Sequence, residues 1–185
     1  MPGAEPCVSV LSLGSISPIE RLNPVSGLPV VFGGAPVVVV FVRDLHGTTA
    51  RVAIKRLTAV WPSLDAAGVR LAVVTHTDLT YARDFVPRHH VIFPLVVDED
   101  RSLREKFGLE TDATYLQSLR ALRPRAVRAW IDGLNESRDP AKPNGDLGGE
   151  FVFDRHGTLI HARGYPSVLD VPDADALLAC STALS

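Results

Sequence analysis

Cysteine is scarce in this chain, with Cys7 and Cys180 as the two examples among 185 residues. Two thiols near opposite ends do not make the disulfide framework that holds small secreted domains together. Neither follows a buried strand at the start of a helix, where a thiol would have a lowered pKa. We therefore interpret both cysteines as incidental and find no reactive thiol in the sequence.

Long apolar runs, a charge excess and phosphate-binding motifs are also missing. No apolar run is long enough to span a bilayer, and residues 1–15 lack the basic start of a signal peptide. The net charge of −2 gives no reason to expect nucleic-acid binding. A glycine-rich phosphate loop and a dinucleotide fingerprint are absent. We expect a cytoplasmic protein that needs no cofactor and binds neither nucleic acid nor membranes.

What is present is the pattern of one α/β domain over residues 1–185. Its 46% hydrophobic and 22% charged residues are ordinary for a globular protein. Strand and helix patterns alternate, which favours right-handed crossovers and a mostly parallel central sheet. Residues 1–35 are expected to form an N-terminal extension with a hairpin around Ser26–Val31, and residues 135–149 a mobile loop rich in proline and glycine. The predicted strands are Val37–Val42, Val69–Val74, Phe93–Val97, Glu150–Phe153 and Thr158–Arg163, and the predicted helices are Thr49–Ala66, Leu79–Arg88, Ser102–Phe107, Tyr115–Trp130 and Ala174–Cys180.

The most informative segment runs from Val37 to Ala53. Its first six residues are apolar and mostly β-branched, as expected for a central strand that is covered on both faces. A turn and a helix follow, with Thr48 or Thr49 as the expected N-cap. The start of the helix therefore points at the turn.

This segment resembles the peroxiredoxin-like 2 branch of the AhpC/TSA antioxidant superfamily. In that branch a strand ending in Phe-x-Arg precedes Cys-x-x-Cys at the start of a helix, and Phe41 and Arg43 match the strand end. The resemblance continues in the expected order through VRLAVVTH from Val69, FPLVVDEDRSLREKFGLE from Phe93 and GGEFVFD from Gly148. It implies a thioredoxin-like three-layer sandwich.

The same resemblance implies where reactive thiols would stand. Gly47 and Ala50 occupy the two cysteine positions, with Thr48 and Thr49 between them. Because a thiol peroxidase needs a nucleophilic thiol, this replacement predicts that the chain is not a thiol peroxidase.

Candidate site residues follow from the topology. Ligands of open α/β sheets bind at the carboxyl ends of the strands, and this edge collects the turns after the first two predicted strands. The resemblance adds the start of the GGEFVFD strand. We predict His46, His76 and Thr49 as catalytic residues, with the histidines exchanging protons near neutral pH. Thr48, Arg51 and Glu150 are predicted to bind the substrate.

Two weaker interpretations concern metals and acidic ligands. His46, His76 and Glu150 are a possible metal triad, but no tight metal-ligand spacing occurs, so we predict no metal. A basic cluster either binds an acidic group or is a solvated helix face. It comprises Arg120, Arg123, Arg125 and Arg128.

Three functions stay open. The first is a non-redox enzyme of a biosynthetic pathway that isomerises, cyclises or adds to a carbonyl-containing small molecule by acid–base chemistry. The second is a redox-dead binding or scaffold protein, and the third is a residual thiol antioxidant using Cys7 or Cys180. The polar turn, with its histidine, threonines and arginine, favours the enzyme. The expected partner is a small-molecule substrate, and homodimerisation is left open.

Overall fold

The computed structural model describes residues 11–109, 146–166 and 170–182. The predicted helix Tyr115–Trp130, its arginine cluster, Cys7 and most of the predicted loop lie outside these residues. The elements of the described part are β1 (Arg21–Leu22), β2 (Val30–Val31), β3 (Val37–Val42), α1 (Thr48–Ala66), β4 (Arg70–Thr75), α2 (Leu79–Arg88), β5 (Leu95–Val97), α3 (Ser102–Lys106), β6 (Gly149–Phe153), β7 (Leu159–Gly164) and α4 (Ala174–Thr182).

Five strands form one mixed sheet in the order β5-β4-β3-β6-β7. Strand β3 pairs in parallel with β4, and β4 with β5. The pairs β3–β6 and β6–β7 are antiparallel. The predicted α/β class is confirmed, but the mostly parallel sheet is wrong. The reason is that β6 enters the sheet antiparallel beside β3 and then pairs with β7 across a short turn, which makes that pair antiparallel as well.

Strand β3 is central, as its composition predicts. All six of its side chains are buried. Val38, Val40 and Val42 pack in a core with residues of α1, α2 and α4. The alternate side chains, Val37, Val39 and Phe41, pack in a second core with the β1–β2 hairpin and Phe107. Because successive residues of a strand face opposite ways, one apolar strand serves both cores.

The carboxyl end of β3 meets the neighbouring strands closely. The Thr75 hydroxyl at the end of β4 donates a hydrogen bond to the Arg43 carbonyl at 2.9 Å. On the other side, Gly149 of β6 is paired with Phe41. A Cβ atom at Gly148 would lie 2.7 Å from the Phe41 carbonyl oxygen and 2.5 Å from the Tyr165 ring, so a side chain has no room there. The turn after β3 is thus held between β4 and the entry to β6.

Candidate functional site

The start of α1 lies at this edge of the sheet. Gly47 is the N-cap residue in an extended conformation, and no side chain caps the helix. The predicted capping by Thr48 or Thr49 is therefore wrong, because the helix begins at Thr48 itself. The first turn also contains no acidic residue. The positive N-terminal end of this 19-residue helix is therefore not neutralised by an acidic side chain of its first turn.

A small cavity lies beside the first turn of α1. Thr49 and Ala50 line it from the helix, Arg43 from the end of β3, and Tyr165 and Asp170 from the chain after β7. Its volume is about 10 Å³. This space holds about one small atom or water molecule.

Glu150, a predicted substrate-binding residue, lies in β6 and is 1% exposed. The Tyr165 hydroxyl donates a hydrogen bond of 3.0 Å to its Oε2 atom. His161 Nε2 and Arg163 Nη1 each lie 3.5 Å from Oε1. Burial, and then the nearby Glu150 carboxylate, raise the pKa of Tyr165 far above its ordinary value. Glu150 is thus enclosed by side chains of β7 and of the residue after it.

His46 is fixed within its own turn. Its Nδ1 atom lies 2.6 Å from the Asp44 Oδ1 atom, and its backbone N–H donates to the same oxygen. The imidazole stacks on the Tyr81 ring of α2 with the centroids 3.7 Å apart. These contacts join the turn after β3 to α2.

His76 has a different set of partners. Its Nδ1 atom lies 3.1 Å from the Asp98 carbonyl oxygen, which can only accept, so Nδ1 carries the proton. Its Nε2 atom lies 3.5 Å from Arg101 Nη2. In the described part of the chain, no contact joins this ring to His46. The structure therefore places the two predicted catalytic histidines at the same edge of the sheet, where each contacts a different set of residues.

Three arginines that the sequence interpretation missed converge on the segment before β6. Arg43 Nε donates to the Asp146 carbonyl at 3.1 Å, and Arg101 Nη2 lies 3.4 Å from Asp146 Oδ2. Arg104 Nη2 donates to the Leu147 carbonyl, and Arg104 is 3% exposed. Desolvation lowers the pKa of Arg104, while Asp146 and Asp98 oppose this. The sequence contained one indication of this cluster, because Arg104 follows the apolar Leu103 in a short helix.

Two predicted substrate-binding residues, Thr48 and Arg51, and the predicted absence of a metal site are left to consider. The side chain of Thr48 lies outside the described part, and Arg51 is half-buried in the first turn of α1. Across residues 11–109, 146–166 and 170–182, no three histidine, cysteine or acidic side chains are grouped to hold a metal ion.

A larger cavity of about 680 Å³ lies at the opposite end of the sheet, near the start of β4. Its lining includes Trp61, Leu28 and Ile92, and no histidine or cysteine is among the lining residues. Its position away from the helix start separates it from the candidate site, although it is far larger.

Comparison with known proteins decides the family. The family model described as AhpC/TSA antioxidant enzyme matches residues 56–164, more than half of the chain. The chain belongs to the AhpC/TSA antioxidant enzyme family. The match begins in the middle of α1, after the turn where Gly47 and Ala50 stand. A search of the curated proteins finds no match.

Solved peroxiredoxin structures share the fold over nearly the whole chain. The bacterioferritin comigratory protein of Xanthomonas campestris, whose structure is described with its alkyl peroxide reduction activity, has a TM-score of 0.66 at 21% identity, covering 96% of this chain and 98% of that one. The peroxiredoxin-like protein from Aquifex aeolicus has a TM-score of 0.66 at 16% identity, covering 95% and 89%. Peroxidoxin BcpB from Mycobacterium tuberculosis has a TM-score of 0.65 at 14% identity, covering 94% and 97%. The fold is therefore a mixed α/β thioredoxin-like fold of the peroxiredoxin type.

These findings correct the functional prediction. The match to the antioxidant-enzyme family points to redox chemistry, so the prediction of a non-redox acid–base enzyme of a biosynthetic pathway is wrong. The exclusion of thiol peroxidase activity is wrong for the same reason. It assumed that the nucleophilic sulfur must stand at positions 47 and 50. Within the described residues, no helix combines the length and apolar character that a membrane crossing requires.

Proposed function

We propose that this chain reduces hydroperoxides at the expense of thiols. The observation that carries the proposal is the antioxidant-enzyme family match over residues 56–164. The relative from Xanthomonas campestris, described with alkyl peroxide reduction, supports the substrate class. In the overall reaction, two thiols become one disulfide while the hydroperoxide becomes an alcohol and water.

The start of α1 supports this chemistry because it favours negative charge. The nucleophile toward a peroxide is a thiolate rather than a thiol. A thiolate is stabilised near the positive end of a helix and near a guanidinium group. The small cavity lies at such a helix end, since Thr49 and Ala50 of the first turn of α1 line it, as does Arg43.

The thiols of this chain are less well placed for the reaction. Cys180 lies in α4, is half-buried and is free. Burial raises the pKa of its thiol, which lowers the thiolate fraction at neutral pH. Cys7 lies outside the described residues.

The proposed function is tested by peroxide consumption. Purified protein is mixed with cumene hydroperoxide and an excess of 2-mercaptoethanol, and the losses of peroxide and of thiol are followed together. We expect the protein to accelerate both losses at a ratio of two thiols per peroxide, above the same mixture with heat-denatured protein. An equal rate in the two mixtures, with hydrogen peroxide as well as with cumene hydroperoxide, would show that the chain is not a thiol peroxidase.

A further inference from the structure

The larger cavity, near the start of β4, lies within an exposed apolar surface. Six large apolar side chains of the described residues are well exposed, and three of them line this cavity: Leu28 at 80%, Ile92 at 54% and Val31 at 43% exposure. The half-buried Trp61 of α1 lines it as well. We call this lined surface the hairpin groove, because Leu28 and Val31 belong to the β1–β2 hairpin. Apolar surface that is gathered in one place, rather than scattered singly, indicates an interaction site.

The hairpin groove has walls that are tied to one another. The Val25 N–H donates to the Leu95 carbonyl at 2.7 Å, and Ser26 and Leu95 form an antiparallel bridge. These contacts hold the hairpin against the start of β5. On the other side, Arg70 Nη1 donates to the Val31 carbonyl at 2.8 Å, which holds β2 against the start of β4. Because the walls are held together before any partner arrives, association requires little further ordering of the chain.

Two opposite charges line the hairpin groove without pairing with each other. Asp65 lies in the last turn of α1, Arg70 is the first residue of β4, and both are exposed. Among the described residues, Asp65 has neither an ion pair nor a side-chain hydrogen bond. Arg70 uses one of its five N–H donors, on the Val31 carbonyl. The groove therefore presents one carboxylate and one guanidinium group that are both able to bind a partner.

We propose that the hairpin groove is the interface of a homodimer with two-fold symmetry. In a two-fold interface, residue i of one copy contacts residue j of the other, and j contacts i. Asp65 of each copy thus pairs with Arg70 of the other, so one surface supplies both ion pairs. Leu28, the most exposed of the six apolar side chains, enters the groove of the opposite copy. A small ligand of one charge would use only one of the two charged side chains, whereas a second copy uses both.

The test is the mass of the full chain in solution, measured by analytical ultracentrifugation over a range of concentrations. We expect the wild type to form a dimer. Asp65→Arg and Arg70→Asp should each weaken the dimer by about tenfold or more, because each places two like-charge contacts across the interface. Leu28→Glu should weaken it as well, since it buries a charge in the groove. Leu13→Glu is the matched control, because Leu13 is 67% exposed but does not line the groove.

Mixing the two charge variants separates ion pairing from a general loss of structure. Asp65→Arg and Arg70→Asp should form a mixed dimer with each other, because both contacts then join an arginine to an aspartate. Circular dichroism of each variant checks that it is folded. A wild type that stays monomeric at every concentration would overturn the proposal and leave the groove to a ligand or to another protein. A dimer that Leu28→Glu and both charge variants leave unchanged, or a mixture without a mixed dimer, would overturn it too.

Discussion

Glu150 holds its carboxyl group in a place that water hardly reaches, since the residue is 1% exposed. A buried carboxylate is costly unless hydrogen bonds and positive groups replace its hydration. Here the replacement comes from the Tyr165 hydroxyl at 3.0 Å and from His161 and Arg163 at 3.5 Å. The side chains of His161 and Arg163 are 34% and 45% exposed, whereas Tyr165 is 2% exposed, so the tyrosine is the buried partner.

This arrangement predicts the effect of removing one hydroxyl. Tyr165→Phe keeps the ring but leaves Glu150 Oε2 without its donor, and an unsatisfied buried group costs about 1–3 kcal/mol. We expect that loss in the free energy of unfolding, measured by urea denaturation. Tyr81→Phe is the control because Tyr81 is half-buried and its ring contact with His46 is kept. Equal losses in the two variants would mean that the Glu150 contact does not stabilise the fold.

The position of the candidate residues was predictable, but their partners were not. His46 and His76 follow strands, so the sequence could place them at the carboxyl edge of the sheet. The Tyr81 ring that stacks on His46 and the Asp98 carbonyl that accepts from His76 belong to other elements. Such contacts depend on how the helices and loops pack, which a periodic pattern does not specify.

At the scale of elements, the turn between β6 and β7 is fixed by one carboxylate. Asp154 Oδ1 accepts hydrogen bonds from the backbone N–H groups of His156 at 2.8 Å and Thr158 at 2.9 Å. Burial raises the pKa of Asp154, but these two donors outweigh it and the net pKa is lowered from 3.8. The charged form of Asp154 is thus favoured in the folded state.

A lowered pKa in the folded state sets the sign of a pH effect. The contribution of Asp154 to stability is present above its unfolded pKa and is lost as the pH falls through its folded pKa. Asp154→Asn keeps an oxygen acceptor but cannot titrate. We expect wild type to lose more stability than this variant, by a difference of under about 1 kcal/mol, when urea denaturation is compared at pH 5 and pH 2.5. Asp84→Asn is the control, since Asp84 is an exposed residue of α2, and this variant should lose as much stability as wild type. An equal loss of stability between pH 5 and pH 2.5 in all three proteins would contradict the prediction.

The main error in the predicted fold concerns β6, which pairs antiparallel with the central strand β3. Sequence patterns placed β3 and α2 at their observed bounds, since a fully apolar strand and a helix with an Asp78 N-cap are strong local signals. The direction of pairing is a property of the whole sheet. The sheet has two parallel and two antiparallel pairs, because β6 lies beside β3 but runs in the opposite direction.

At the scale of the whole molecule, the family match and the candidate site lie largely in different parts of the chain. The family model matches from residue 56, within α1, to residue 164, the last residue of β7. The turn and helix start that carry Gly47 and Ala50 precede that match. The family match therefore does not cover the turn and the helix start where Gly47 and Ala50 stand.

The sheet order also predicts where the molecule opens last. Strand β3 is bonded on both sides, by β4 and β6, and its side chains are buried in both cores. Strand β7 lies at an edge of the sheet. Among the described residues, its outer side forms backbone hydrogen bonds at Leu159, with Gly14 and Ser15. Amide exchange through local opening is fastest where few buried contacts must break. We expect β3 amides to exchange at least tenfold more slowly than those after Leu159 in β7, equivalent to about 1.4 kcal/mol in opening free energy, in a hydrogen–deuterium exchange measurement. Comparable rates in the two strands would indicate that the sheet opens as one unit, or that another chain covers the edge of β7 in solution.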